Sequence, residues 1–336
     1  MTQVAAAEVT YREAIRQALE EEMLRDDRVF ILGEDIAHLG GAWRTTGGLA
    51  ELFGEERVRD TPISESAIIG CAIGAALNGL IPIAEIQFND LLLVCMDQIG
   101  NQVAKYRYRT GGSVFLPLVV RANYGTRGGG GPMGAQCLYG LFTHFPGLKV
   151  VLPSTVCDAK GLLKSAIRDP DPVLYFEHRD LFRIKESIPD GEILVPIGKA
   201  KVQREGRDLT IVASGRMLHQ ALKAAGQLAE GGIEAEVVDL RTLVPLDKET
   251  VVNSARKTGR LIVLDEGPPS GTAAEVGMVV QEEAFPALKA PIVRLTTKPY
   301  PIPYSPLLAE SLVPRAETIV NHALALMKGS LSWPAT

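Results

Sequence analysis

Apolar positions along this chain follow two alternating rhythms. Behind Thr10-Tyr11-Arg12-Glu13, which reads as a capping box, Ile15, Leu19 and Met23 repeat at helical spacing and predict a helix. Val29-Phe30-Ile31-Leu32 is a short apolar run closed by Gly33 and predicts a buried strand. Further strands are predicted over 82–86, 116–121, 149–152 and 173–176, with helices over 67–80 and 94–107. Strand and helix alternating in this way imply a mostly parallel sheet covered by helices.

The texture changes over residues 178–200, where Pro189-Asp190-Gly191 signals a turn and Pro196 and Gly198 follow. This places a domain boundary between residues 190 and 191, giving domains 1–190 and 191–330. A second alternation then predicts strands over 209–213, 235–240, 261–264 and 292–295, and helices over 217–230, 248–257 and 271–283. The fold class is α/β, with two three-layer α/β domains, the second of about 130 residues. The tail 329–336 is expected to fray.

Composition narrows the function. The 336 residues are 46% hydrophobic and 22% charged, with net charge -5, a balance typical of a water-soluble globular protein. No Lys/Arg run suggests a nucleic-acid surface. No signal peptide is read at the start, and no apolar stretch approaches the ~18 residues of a membrane span. Cys71, Cys95, Cys137 and Cys157 form no Cys-x-x-Cys pair, and the five histidines are scattered. Reduced, mostly buried cysteines in a cytoplasmic protein without a transition-metal site are therefore expected.

Candidate chemistry concentrates in Asp60-Thr61-Pro62-Ile63-Ser64-Glu65. A polar, proline-containing turn delivers Glu65 to the start of a run of small and apolar residues, Ser66 to Ala76. Such a helix is buried on most sides, so Glu65 sits at the edge of a dry interior, where an unpaired charge is costly. Two readings stand: a carboxylate that caps its own helix, and one that serves a ligand.

Together with Gly33-Glu34-Asp35, Pro146-Gly147-Leu148-Lys149-Val150-Val151, Asp158-Ala159-Lys160-Gly161-Leu162 and Ile197-Gly198-Lys199-Ala200, this segment resembles the beta subunits of pyruvate, branched-chain 2-oxo acid and acetoin dehydrogenases. The resemblance spans residues 8–328, with a slight lean to the acetoin branch in Pro153-Ser154-Thr155 and Tyr175-Phe176-Glu177-His178. It implies a transketolase-like pyrimidine-binding domain followed by a C-terminal transketolase-type domain, and thiamine diphosphate as cofactor. The residue matching Glu65 hydrogen-bonds a ring nitrogen of the aminopyrimidine and so promotes loss of the thiazolium proton. By position, Ile63 lies near the aminopyrimidine. Gln87 borders cofactor or substrate, and Leu91 stands where relatives carry an aromatic ring. For Gln87 and Leu91, ordinary core or interface packing is the competing reading.

The resemblance also implies a monovalent cation, usually potassium, held by backbone oxygens at Leu118, Ala166, Asp169 and Asp171. A plain helix-ending turn explains those residues equally well, because Pro170 and Pro172 stop helices. The Mg²⁺-binding Gly-Asp-Gly of thiamine-diphosphate enzymes is missing from this sequence. The metal half of the site is therefore expected from an alpha subunit, in a heterotetramer of two alpha and two beta chains that docks on a lipoyl acyltransferase core.

One departure stands out. Relatives carry a histidine that contacts the substrate and helps pass the acyl group to a lipoyl arm; here that position is Gly134, in a glycine-rich loop. Arg127 and Cys137 are candidate substitutes, and His144 reads as structural. The four glycines do not make a phosphate loop, lacking the Gly-Lys-Ser/Thr ending. The leading expectation is a dehydrogenase subunit acylating lipoamide. The alternatives are a carboligase or transketolase-like enzyme with a non-lipoyl acceptor, and a scaffold that has lost the site. Ser214-Gly215-Arg216 and Asp265-Glu266-Gly267 read as strand-end loops without chemistry.

Overall fold

A computed structural model describes residues 8–126 and 129–330. Arg127 and the tail beyond Ser330, with the readings placed on them, lie outside these. The chain divides into two compact units. Unit 1 holds residues up to Gly125, Leu141–Ile197 and Leu243–Pro245; unit 2 holds Thr126–Gly140, Gly198–Thr242 and the remainder from Leu246.

Unit 1 is built on a seven-stranded sheet in the order Thr242–Val244, Lys149–Val151, Val173–His178, Val119–Tyr124, Ile81–Ile86, Val29–Gly33, Val58–Asp60. From Lys149–Val151 to Val58–Asp60 every pairing is parallel. Parallel strands need crossovers, and helices such as Glu65–Leu77 and Val156–Ile167 supply them. The first helix, Tyr11–Arg25, starts where its cap predicts: Thr10 accepts the Glu13 amide through its side chain at 3.1 Å. Its buried face joins Val29, Ile31, Ile83, Val173 and Tyr175 in one core.

Three local departures from the sequence expectations have visible causes. The strand expected at 116–121 forms at Val119–Tyr124, because Pro117 has no N–H to donate to a central ladder. The helix expected over 94–107 is a 3-10 turn at Asn89–Cys95, a π-helical turn at Gln98–Val103 and an α-turn at Tyr106–Arg109. The π turn surrounds Gly100, against which the Phe145 ring is seated so closely that a Cβ would lie 2.9 Å from it. Sequence texture put the domain boundary at 190/191; the contacts put it at 197/198, since Ile193 and Val195 are buried in the unit 1 core.

Unit 2 contains a five-stranded sheet in the order Val293–Leu295, Leu261–Leu264, Leu209–Ala213, Ala235–Asp239, Lys201–Arg204. The first four are parallel and Lys201–Arg204 is antiparallel at the edge. The helix Arg216–Glu230 packs its apolar face on this sheet together with Ala316–Lys328. No described helix is long and apolar enough to cross a membrane.

Candidate active site

In an open α/β sheet, the crevice for a ligand opens at the carboxyl ends of the strands where the strand order reverses. In unit 1 that place is Val29–Gly33: the next strand in sequence, Val58–Asp60, lies on one side of it and Ile81–Ile86 on the other. Glu34 leaves the end of Val29–Gly33, and Gln87 leaves the end of Ile81–Ile86. Glu65 is the first residue of the helix that follows Val58–Asp60.

The proline-containing turn is sewn down locally. The Asp60 carboxylate accepts the Ala37 amide at 2.7 Å and the His38 amide at 3.4 Å, and the Thr61 amide donates to Gly33 O at 2.9 Å. Asp60 thus fixes the loop carrying Glu34 on one side while its own chain leads to Glu65 on the other. Ser64 makes no side-chain cap bond to the helix. The 3-10 turn Asn89–Cys95, which carries Leu91, packs on the same helix, with Ser66 Oγ donating to Val94 O at 2.8 Å.

Glu65 is 8% exposed, yet among the described residues its carboxylate takes no hydrogen bond or ion pair. Its field is felt around it. Burial pushes the Glu34 carboxyl above the usual range, and the negative charges of Glu65 and Asp35 push it further. Burial likewise pushes the Cys95 thiol up to about 12, with Glu65 adding to the effect. Ile63 is 83% exposed at the edge of this crevice. Leu91 and Gln87 are half-buried, and the Gln87 carbonyl accepts Asn123 Nδ2 at 3.2 Å.

The four candidate cation positions gather elsewhere in unit 1, at the amino ends of its strands. The Leu118 carbonyl accepts the Val173 amide at 2.9 Å, and the Ala166 carbonyl accepts the Asp169 amide at 3.3 Å. Both Asp169 carboxylate oxygens bind Lys149 Nζ, at 2.6 and 2.7 Å, and Asp171 pairs with Arg107 at 2.5 Å. The two carboxylates are therefore engaged by cationic side chains, and the Leu118 and Ala166 carbonyls by backbone amides.

Gly134 lies in unit 2, in the segment Thr126–Gly140. A Cβ at Gly134 would stand 3.1 Å from the Gly130 carbonyl oxygen. Cys137 is buried with its Sγ 3.5 Å from Thr126 Oγ1. His144, in unit 1, is exposed and meets the Phe145 ring edge-on. No disulfide joins the four cysteines; Cys95 and Cys137 are buried, whereas Cys71 is exposed.

Two features were not singled out in the sequence. One is Glu34, quoted only as part of a motif. The other is Arg121, Glu85 and Glu177, fully buried side by side on adjacent strands, with Arg121 Nη2 donating to Thr45 Oγ1 at 3.1 Å. Their signal was present: one Arg or Glu in each of three mostly apolar strands. Burial raises the carboxyl pKa of both Glu85 and Glu177 against the opposing pull of Arg121. Desolvation works against the charge on Arg121, but the two carboxylates outweigh it and keep the guanidinium protonated.

Comparison with known proteins agrees with this fold. Residues 7–185 match the transketolase pyrimidine binding domain, and residues 198–319 match the transketolase C-terminal domain. The chain is 48% identical over 301 residues to a 2-oxoisovalerate dehydrogenase subunit beta of Bacillus subtilis, covering 89% of this chain and 92% of that one. It is 46% identical over 335 residues to an acetoin:2,6-dichlorophenolindophenol oxidoreductase subunit beta of Cupriavidus necator, covering 96% and 99%. Among solved structures, a split-gene transketolase described as an inactive beta4 tetramer superimposes with a TM-score of 0.79 at 25% identity, covering 95% and 98%. With both transketolase-type domains present in order, and relatives this similar over nearly the whole length, the chain belongs to the transketolase-like family of 2-oxo acid and acetoin dehydrogenase beta subunits, enzyme components of the oxidoreductase class.

Proposed function

We propose that this chain is the beta half of a thiamine-diphosphate enzyme that decarboxylates a 2-oxo acid, or cleaves acetoin, and passes the acyl unit to lipoamide. Glu65 carries the reading. A carboxylate 8% exposed at a switch-point crevice, without a hydrogen-bonding partner among the described residues, calls for a partner from outside the chain. An aminopyrimidine fits that demand, because a ring nitrogen shares a proton with a carboxylate in a short charge-assisted bond. Glu65 would hold that ring, with Ile63, Gln87 and Leu91 along its border. When bound, the coenzyme supplies a thiazolium carbon that becomes nucleophilic toward a carbonyl. Glu65 keeps the proton at the ring nitrogen, and low dielectric strengthens the bond that does so.

The diphosphate and its Mg²⁺ are assigned to an alpha partner, because this sequence has no Gly-Asp-Gly. The 83% exposure of Ile63 supports a subunit seam at the crevice. The inactive state described for the split transketolase's beta tetramer supports a site divided between two polypeptides. In this reading two alpha and two beta chains assemble in the cytoplasm and dock on a lipoyl acyltransferase core. A potassium ion is assigned to the backbone at Leu118, Ala166, Asp169 and Asp171.

Turnover of a 2-oxo acid by this chain with and without its alpha partner tests the reading. Activity is expected only from the assembled pair; full turnover by the single chain would refute the divided site. A second reading, a carboligase or transketolase-like enzyme with a non-lipoyl acceptor, is favoured by Gly134. Reductive acylation of an added lipoyl domain at the rate of carbonyl cleavage would eliminate it.

A further inference from the structure

Arg121, Glu85 and Glu177 take no part in the reading of Glu65, yet a continuous line of bonds inside unit 1 joins them to it. The line runs through the loop 34–48, which leaves the carboxyl end of Val29–Gly33. Arg121 Nη2 donates to Thr45 Oγ1 at 3.1 Å, with Thr45 buried. The neighbouring Thr46, fully buried, donates through Oγ1 to Ile36 O at 2.8 Å. The amides that follow Ile36, those of Ala37 and His38, are the two that the Asp60 carboxylate accepts. Asp60 ends the strand Val58–Asp60, and the turn it opens leads to Glu65.

The loop is folded tightly enough for these bonds to act as its fastenings. The Gly41 amide donates to Asp35 O at 2.9 Å and the Thr46 amide to Gly40 O at 3.2 Å. A Cβ at Gly40 would lie 2.8 Å from Gly47 Cα, so glycine lets the two arms of the loop meet. A Cβ at Gly41 would lie 2.8 Å from Glu85 Oε1, so the loop rests on one acid of the buried trio as well as on its cation. Asp35 and Arg44 both take left-handed backbone, at φ 57 and 58. In residues other than glycine such a conformation persists where the surrounding contacts hold it. Arg121 is itself held by Glu177 through two bonds and by Glu85 through a third, away from competing water.

We infer that Arg121 is a positioning residue for Glu65: it fixes Thr45 and, through Thr46, Ile36 and Asp60, sets the turn from which Glu65 enters the crevice. The guanidinium suits this role, because its planar fork of donors holds two carboxylates and a hydroxyl in one fixed arrangement. The bearing on the coenzyme rests on the function proposed above; the anchored loop does not. Trp43 stacks on Phe182 with ring centroids 5.6 Å apart and gives the loop a second hold. Losing the Thr45 bond should therefore loosen the loop without unfolding the unit.

The test uses Thr45→Val, Thr45→Ser and Asp60→Ala in the full chain, alone and assembled with its alpha partner. In the chain alone, hydrogen exchange over residues 35–46 should quicken about tenfold in Thr45→Val, the loss of one bond from a charged donor. Thr45→Ser keeps the acceptor oxygen and should stay near wild type. The helix Tyr11–Arg25 should keep its protection in all three, which separates a loosened loop from a damaged fold. In the assembled enzyme Thr45→Val and Asp60→Ala should each weaken the Kd for thiamine diphosphate about tenfold. The double variant should also lose about tenfold rather than about a hundredfold, because two links of one chain do not add. Unchanged exchange over 35–46 would overturn the anchor. Faster exchange with an unaltered Kd, or two losses that multiply, would overturn its bearing on Glu65. Should Thr45→Val fail to fold, Thr46→Val breaks the next link and the same readouts decide. If the wild-type assembly binds no thiamine diphosphate, the functional reading falls while the exchange result still stands.

Discussion

Arg121 grips Glu177 through two parallel bonds, Nε to Oε1 at 2.7 Å and Nη2 to Oε2 at 3.0 Å, in the interior of the first unit. Its remaining nitrogen reaches Glu85 Oε2 at 2.8 Å. One cation therefore serves two carboxylates, all of them at most 2% exposed. Replacing Arg121 with Met leaves two buried acids without a counter-charge. The expected loss is about 3–5 kcal/mol, read as a shift in the urea midpoint.

The same cluster makes stability depend on pH. Burial raises the pKa of Glu85 and Glu177 above their ordinary value near 4.5. An acid whose pKa is raised by folding binds more protons in the native state than in the unfolded one. Its contribution is complete below the unfolded pKa and is lost as pH rises through the folded one. Glu85→Gln removes one such group. Its stability relative to wild type should improve steadily as pH rises from 4.5, and a difference that stays flat across urea melts at several pH values would contradict the raised pKa.

Glu65→Gln separates catalysis from folding. The wild-type carboxylate is buried without a partner among the described residues, so the amide should melt at the same temperature or slightly higher. Turnover of the assembled enzyme should fall roughly 10²-fold or more, the range of a lost proton-transfer group. Wild-type turnover in the variant would assign Glu65 to helix capping alone.

Ile63→Asp addresses the exposed edge of the crevice. At 83% exposure the side chain contributes little to the fold of this chain, so its unfolding free energy should stay within about 0.5 kcal/mol of wild type in urea melts. Assembly with the alpha partner, followed by sedimentation, should weaken sharply. Normal assembly would move the seam away from this residue.

Gly134→His probes the departure from relatives. The new Cβ meets the Gly130 carbonyl at 3.1 Å, a contact relieved by a shift of a few tenths of an ångström. The variant is expected to fold and to acylate a lipoyl domain faster than wild type. A rate no higher than wild type would mean that acceptor choice is set elsewhere.

Much of this was readable in advance because it is local. The Thr10 cap, the strand Val29–Gly33 and the second alternation from residue 209 depend on neighbours a few positions away, and they stand where the apolar rhythm puts them. Glu65 was readable too, since a turn and the small-residue helix behind it announce a buried carboxylate within a few positions. Glu34 went unassigned because its environment is made first by burial and then by the charge of Glu65, on a different strand connection.

The chain's short-range pattern was enough for two layered α/β units and one marked acid, because caps, turns and periodicity act over single turns of backbone. Pairings between distant segments were not: Arg121 lies 56 residues from Glu177 and 36 from Glu85, and Tyr139 lies 126 from Asp265. Parallel strands meet only through crossovers, so which charged side chains share one layer, and which unit claims the 126–140 segment, follow from how those crossovers pack and leave no periodic mark in the residues themselves.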